Sequence, residues 1–97
     1  MAASPPVSAL PWYARRDYPV LLKQFSDPDK LPVTYDAWLT RTEQTESQLQ
    51  KAGFAVARIW IRPVPFAAWC RERNVSPDQW ARLTFVSEKA RRLSARQ

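Results

Sequence analysis

The chain has 97 residues, 15 Lys and Arg against 9 Asp and Glu for a formal net charge of +6, no His, one Cys and one Gly. Without His it lacks the commonest metal ligand and general base, the lone Cys70 can close no disulfide within the chain, and the single Gly53 excludes glycine-rich phosphate loops. That length forms one domain, and these absences argue for a binding protein, not an enzyme, with no cofactor and no metal expected.

Residues 1–11 hold three Pro among mostly small residues and read as a flexible leader before a single globular domain at 12–97. They carry no basic stretch followed by an apolar run, so a secretory signal is not expected. A first helix is predicted over 18–25. Pro19 suits its first turn, and Tyr18, Leu21, Leu22 and Phe25 fall on one face. Ser26-Asp27-Pro28-Asp29 stops it.

Thr34 can cap a second helix over 35–52. Its middle, Thr40 to Gln48, is polar throughout, so it packs at its ends or uses Thr42 and Thr45 in a narrow seam. Gly53 supplies a left-handed stop, with Phe54 reaching back to Leu49. Residues 55–62 form the one clear strand, with Ala57, Ile59 and Ile61 inward and Arg58, Trp60 and Arg62 outward. A third helix is predicted over 65–73, with Asn74 as its stop. A fourth runs over 77–95 behind Ser76-Pro77-Asp78-Gln79, a capping box, with Val75 and Trp80 as a hydrophobic staple. Leu83, Val86, Ala90 and Leu93 continue its apolar stripe. The fold class is therefore α+β, mostly α.

A single strand leaves a row of backbone groups without partners. Either a short segment at 31–35 pairs with it, or the strand pairs with its copy in a homodimer, which is preferred because Pro32 makes the local candidate poor. The longest uncharged, mostly apolar stretch, Pro63 to Cys70, is far short of the ~20 residues that span a bilayer. With one unpaired Cys, a cytoplasmic protein with no membrane partner is expected.

The charge is unevenly spread. Residues 1–57 hold six cations against six anions, whereas 58–97 hold nine against three, and eight of those nine are Arg. Arg suits bidentate contacts to phosphate and base edges. From Arg58 onward, an Arg-Ile-Trp-Ile-Arg strand, a Pro-initiated helix from Pro63-Val64-Pro65, an Asn74-Val75-Ser76 turn and a capped helix resemble the ribbon-helix-helix DNA-binding proteins. The resemblance implies base reading by Arg58, Trp60 and Arg62 in a dimer, and phosphate contact near Ser76 and Gln79. Arg82, Arg91 and Arg92 would add to the nucleic-acid footprint. The plainer readings place Trp60 under the N-terminal helices, Trp12, Trp38, Trp69 and Trp80 in the core, Cys70 as a small buried hydrophobe, and Arg91 and Arg92 at a solvated helix end. Two functions follow: a nucleic-acid-binding accessory or regulatory protein, or an interaction module that docks an acidic protein partner through Trp60 and helix 35–52.

Overall fold

The computed structural model describes residues 5–95. In chain order it contains strand β1 (Val7–Trp12), helix α1 (Tyr18–Gln24), helix α2 (Tyr35–Lys51), strand β2 (Ala55–Trp60), helix α3 (Pro63–Arg73) and helix α4 (Gln79–Ala95), with short 3-10 turns at Arg15–Asp17 and Pro28–Lys30. The four helices match the expected ones to within two residues at most ends.

Their stops are local. Gly53 takes φ 97°, and the amides of Gly53 and Phe54 donate to the carbonyls of Gln50 and Leu49, closing α2. Asn74 takes φ 56° and ends α3 in the same way, with Val75 N–H on the Cys70 carbonyl. The Thr34 hydroxyl accepts the Ala37 amide at 3.2 Å, as an N-cap does.

The strand pairing corrects the sequence reading. β2 does not pair with 31–35. It pairs in parallel with β1, in the register Val7↔Ala55 to Trp12↔Trp60. Residues 7–11 of the expected leader are thus part of the sheet, whereas residues 1–4 lie outside the described residues. The inference of a second copy rested on an unpartnered strand, and β1 removes that premise. Prolines disguised β1, yet both sit where an N–H is not needed. Pro6 offers its carbonyl to the Ala55 amide at 2.9 Å, and the Trp12 carbonyl accepts the Ile61 amide at 2.9 Å. In a parallel ladder, alternate residues direct both backbone groups to the same neighbour. Pro6, Ser8, Leu10 and Trp12 therefore face β2, and Val7, Ala9 and Pro11 face the opposite edge, where proline costs no ladder bond.

The core is aromatic. Trp38 meets Trp12, Tyr13, Tyr18 and Tyr35 with ring centroids 4.8–5.8 Å apart. Phe66 joins a second group with Phe25, Trp69 and Phe85. Two tyrosine hydroxyls reach backbone carbonyls: the Tyr18 hydroxyl donates to that of Pro32 at 2.5 Å and the Tyr35 hydroxyl to that of Tyr13 at 3.0 Å. Ile59, Ile61 and Cys70 are buried as expected.

Helix α4 departs from its expected start and face. Its cap is Asp78, whose Oδ1 accepts the Ala81 amide at 3.0 Å, not Ser76. The Gln79 amide donates to Asp27 Oδ2 at 3.0 Å, a partner 52 residues away. The buried face is Ala81, Arg82, Phe85 and Val86, whereas Leu83 and Leu93 are exposed. Trp80 is 59% exposed and is not a core residue. Among the described residues no helix is long and apolar enough to cross a membrane.

Candidate functional site

The residues expected to contact nucleic acid are placed on the surface in part, but most of their charge is engaged within the chain. Strand alternation puts Arg58, Trp60 and Arg62 outward as expected. Trp60 is 46% exposed, so it is not covered by the N-terminal helices. Arg58, however, reaches α2. Its Nε and Nη2 donate to the two carboxylate oxygens of Glu46 at 2.7 and 2.8 Å, and its guanidinium lies 3.9 Å from the Trp12 ring centroid. The hydrogen bond from Arg58 holds the Glu46 carboxyl below its ordinary range. Arg62 Nε donates to the largely buried Asp17 at 2.5 Å.

Arg82 lies inside the protein, 4% exposed. Its guanidinium donates to both oxygens of Asp27 at 2.7 and 3.3 Å and stacks 4.5 Å from the Phe25 centroid. Burial works against the Asp27 charge, but hydrogen bonds and charge from Arg82, with the Gln79 amide, outweigh it and hold this carboxyl below its ordinary range. Asp27 thus joins the end of α1 to the start of α4. Outside the expected set, Arg73 makes two hydrogen bonds of 2.5 Å to Glu88.

Ser76 and Gln79 are exposed at the start of α4, and Arg91 and Arg92 are exposed near its end. At 1.5 Å per residue, Gln79 and Arg91 are about 18 Å apart along the axis. The eight expected residues are therefore not gathered into one site. Burial raises the Cys70 thiol above its ordinary pKa, which fits an inert core residue.

A different feature is more site-like. A groove of about 250 Å³ is lined by Leu10, Pro11 and Tyr13 from β1 and its end, by Trp38, Arg41, Thr42 and Thr45 from α2, and by Gln79, Arg82 and Leu83 from α4, with Leu31 between them. Successive residues of a strand point to opposite faces. A groove touching both Leu10 and Pro11, both flanking helices and no residue of β2 must run along the edge of β1 that faces away from β2. That edge carries the N–H and C=O of Val7 and Ala9 and the C=O of Pro11.

The groove's walls hold two arginines and, among the described residues, no carboxylate. Arg82 is neutralised by Asp27 behind it. Arg41 takes part in none of the ion pairs among the described residues. Sequence reasoning singled out Thr42 and Thr45 as a narrow seam but missed Arg41 and the β1 edge. The one available signal was the polar middle of α2, which has no packing reason to be long.

Comparison with protein-family models, with curated proteins and with solved structures found no match, so this site is read from its own geometry.

Proposed function

We propose that the protein is a small non-catalytic interaction module that docks an acidic protein partner, and that it works in the cytoplasm, where its single Cys would stay reduced. The observation that carries the reading is the groove between α2 and α4, which among the described residues has apolar walls, an arginine outside every ion pair and no carboxylate lining it. Apolar walls with a few placed polar groups are what recognition sites share. The arginines that would have read DNA support it from the other side, since Arg58, Arg62 and Arg82 already have carboxylate partners. A duplex would have to break those pairs before using them.

Selection from a random peptide display library on the immobilised protein tests the reading. Binders enriched in Asp and Glu are expected. Recovery of no acidic binder, together with tight sequence-selective binding of duplex DNA at ~150 mM salt, would overturn it.

One observation favours nucleic acid as a second reading. Arg71, Arg91 and Arg92 are exposed and take part in none of the ion pairs among the described residues. Phosphate binding there would weaken with salt at a log–log slope near −0.9 per phosphate contacted. An Arg91→Ala/Arg92→Ala variant would then lose affinity while Arg58→Ala would not.

A further inference from the structure

We infer that the groove receives an extended segment of an acidic partner as a third strand on the free edge of β1, with Arg41 taking one of its carboxylates. The inference rests on the reading of the protein as an interaction module for an acidic partner, and it specifies where that partner binds and in what conformation.

The backbone supplies the first half of the argument. An unpaired strand edge is a row of donors and acceptors that another strand can satisfy. Here the outward groups are the amides and carbonyls of Val7 and Ala9 and the carbonyl of Pro11, as the Pro6–Ala55 and Trp12–Ile61 bonds fix the parity. Pro11 contributes no donor, so an incoming strand finds acceptors at Val7, Ala9 and Pro11 but donors only at Val7 and Ala9, the latter being the donor nearest the groove. That asymmetry selects a register.

The walls supply the second half. A strand lying on this edge alternates its side chains between α2 and α4. Those directed at α2 meet Trp38, Arg41, Thr42 and Thr45, and those directed at α4 meet Gln79 and Leu83. The fitting segment therefore alternates acidic with apolar residues. Arg41 lines the α2 wall of the groove together with Trp38, Thr42 and Thr45. At about 250 Å³ the space is small for a drug-sized ligand, whose sites run to about 300–1,000 Å³, but a strand would only partly enter it.

Other occupants fit less well. A second copy of this chain would bring either β1, which has no charged residue, or β2, whose one charged residue is Arg58. Neither supplies a carboxylate to Arg41. A helix has no free backbone groups for the edge. A phosphate backbone would meet the outward carbonyls of Ala9 and Pro11, which repel it.

The test uses the full chain and a fluorescein-labelled octapeptide alternating Val and Glu, with the Val/Lys peptide and a DNA duplex as competitors. The expected result is binding of the Glu peptide with chemical-shift changes at Ala9, Arg41 and Leu83 amides. Arg41→Glu should weaken it at least roughly tenfold. Ala9→Pro removes the outward donor but no bond to β2, and should weaken it by a similar factor while the near-ultraviolet circular dichroism of the Trp cluster is retained. N-methylation of alternate peptide residues should abolish binding in one phase and spare it in the other. Equal binding of the Glu peptide to wild type, Arg41→Glu and Ala9→Pro would overturn the groove assignment while leaving the acidic-partner reading standing. So would shifts confined to residues outside the groove. Absence of Glu-peptide binding at ~1 mM would also overturn it, and the display selection would then decide separately whether any acidic partner is recognised. Displacement of the groove shifts by duplex DNA would overturn both.

Discussion

The two edges of the sheet carry the same kinds of residue and are treated oppositely. Along β2 and just past its end, each arginine is met by a carboxylate from elsewhere in the chain: Glu46 of α2 for Arg58 and Asp17 before α1 for Arg62. Along β1, the groove holds Arg41 with no such partner among the described residues and backbone groups with no described strand beside them. The strand that looked like a reading head is electrostatically closed, and the segment that looked like a leader borders the open site. What differs is not the residue type but where the fold delivers its acids. A cation is available to an external ligand only when no internal carboxylate reaches it, because an internal partner is held at high effective concentration and an external one is not.

The comparison can be broken most forcefully at the floor of the β1 groove. Arg82→Ala leaves the part-buried Asp27 without its partner and should cost about 1–3 kcal/mol of stability, read from guanidinium unfolding. The double variant Arg82→Met/Asp27→Asn should recover much of the loss, since it removes both the charge and its demand for a partner while keeping the side-chain volume. A loss for Arg82→Ala of the size seen at surface pairs would mean that the α1–α4 junction does not depend on this pair.

Acid should act on both edges, in the same direction and less severely. Asp27 and Glu46 have folded-state pKa values held below their ordinary ones. Their contribution is fully present above the unfolded carboxylate range of about 4 and is lost as pH falls through the lower folded values. Urea midpoints should therefore decline below about pH 4, and Asp27→Asn should flatten part of that decline. A midpoint that rises on acidification would contradict the assignment.

At the β2 edge, Arg58→Ala should cost about 1 kcal/mol, from one half-exposed bidentate pair and its stacking on Trp12. It should leave Glu-peptide binding unchanged, which sharpens the contrast with Arg41→Glu. The smallest effect is expected at Arg15, whose pair with Asp36 is open to solvent on both sides, so that Arg15→Ala should leave the thermal midpoint unchanged.

The helices were legible in the sequence because their limits are set by neighbours a few residues away. Thr34 caps α2 through Ala37, Gly53 and Phe54 close it through Gln50 and Leu49, and Asn74 closes α3. The start and face of α4 were not, because Asp27 is 52 residues from Gln79 and draws Arg82 inward with it. Once Arg82 is seated, the helix turns so that Ala81 and Phe85 are buried and Trp80 and Leu83 are left outside. Strand β1 was hidden for a related reason. Proline argues against a strand as a type, and only the register with β2 reveals that Pro11 presents its missing donor to the unpaired edge.

The sequence by itself determined the α+β class, the four helices, the inward Ile59 and Ile61, and the crowding of net charge into residues 58–97. These follow from periodicity, capping and composition, all of which act over one or two turns. Tertiary structure alone decided which cations stay available, since +6 is a sum that does not know its pairings. Ion pairs form between residues 12 to 55 positions apart in this chain. Chain connectivity does not predict such meetings; burial and strand register do. They paired Arg58, Arg62 and Arg82 with carboxylates and left Arg41, an ordinary residue in a polar helix, lining the groove.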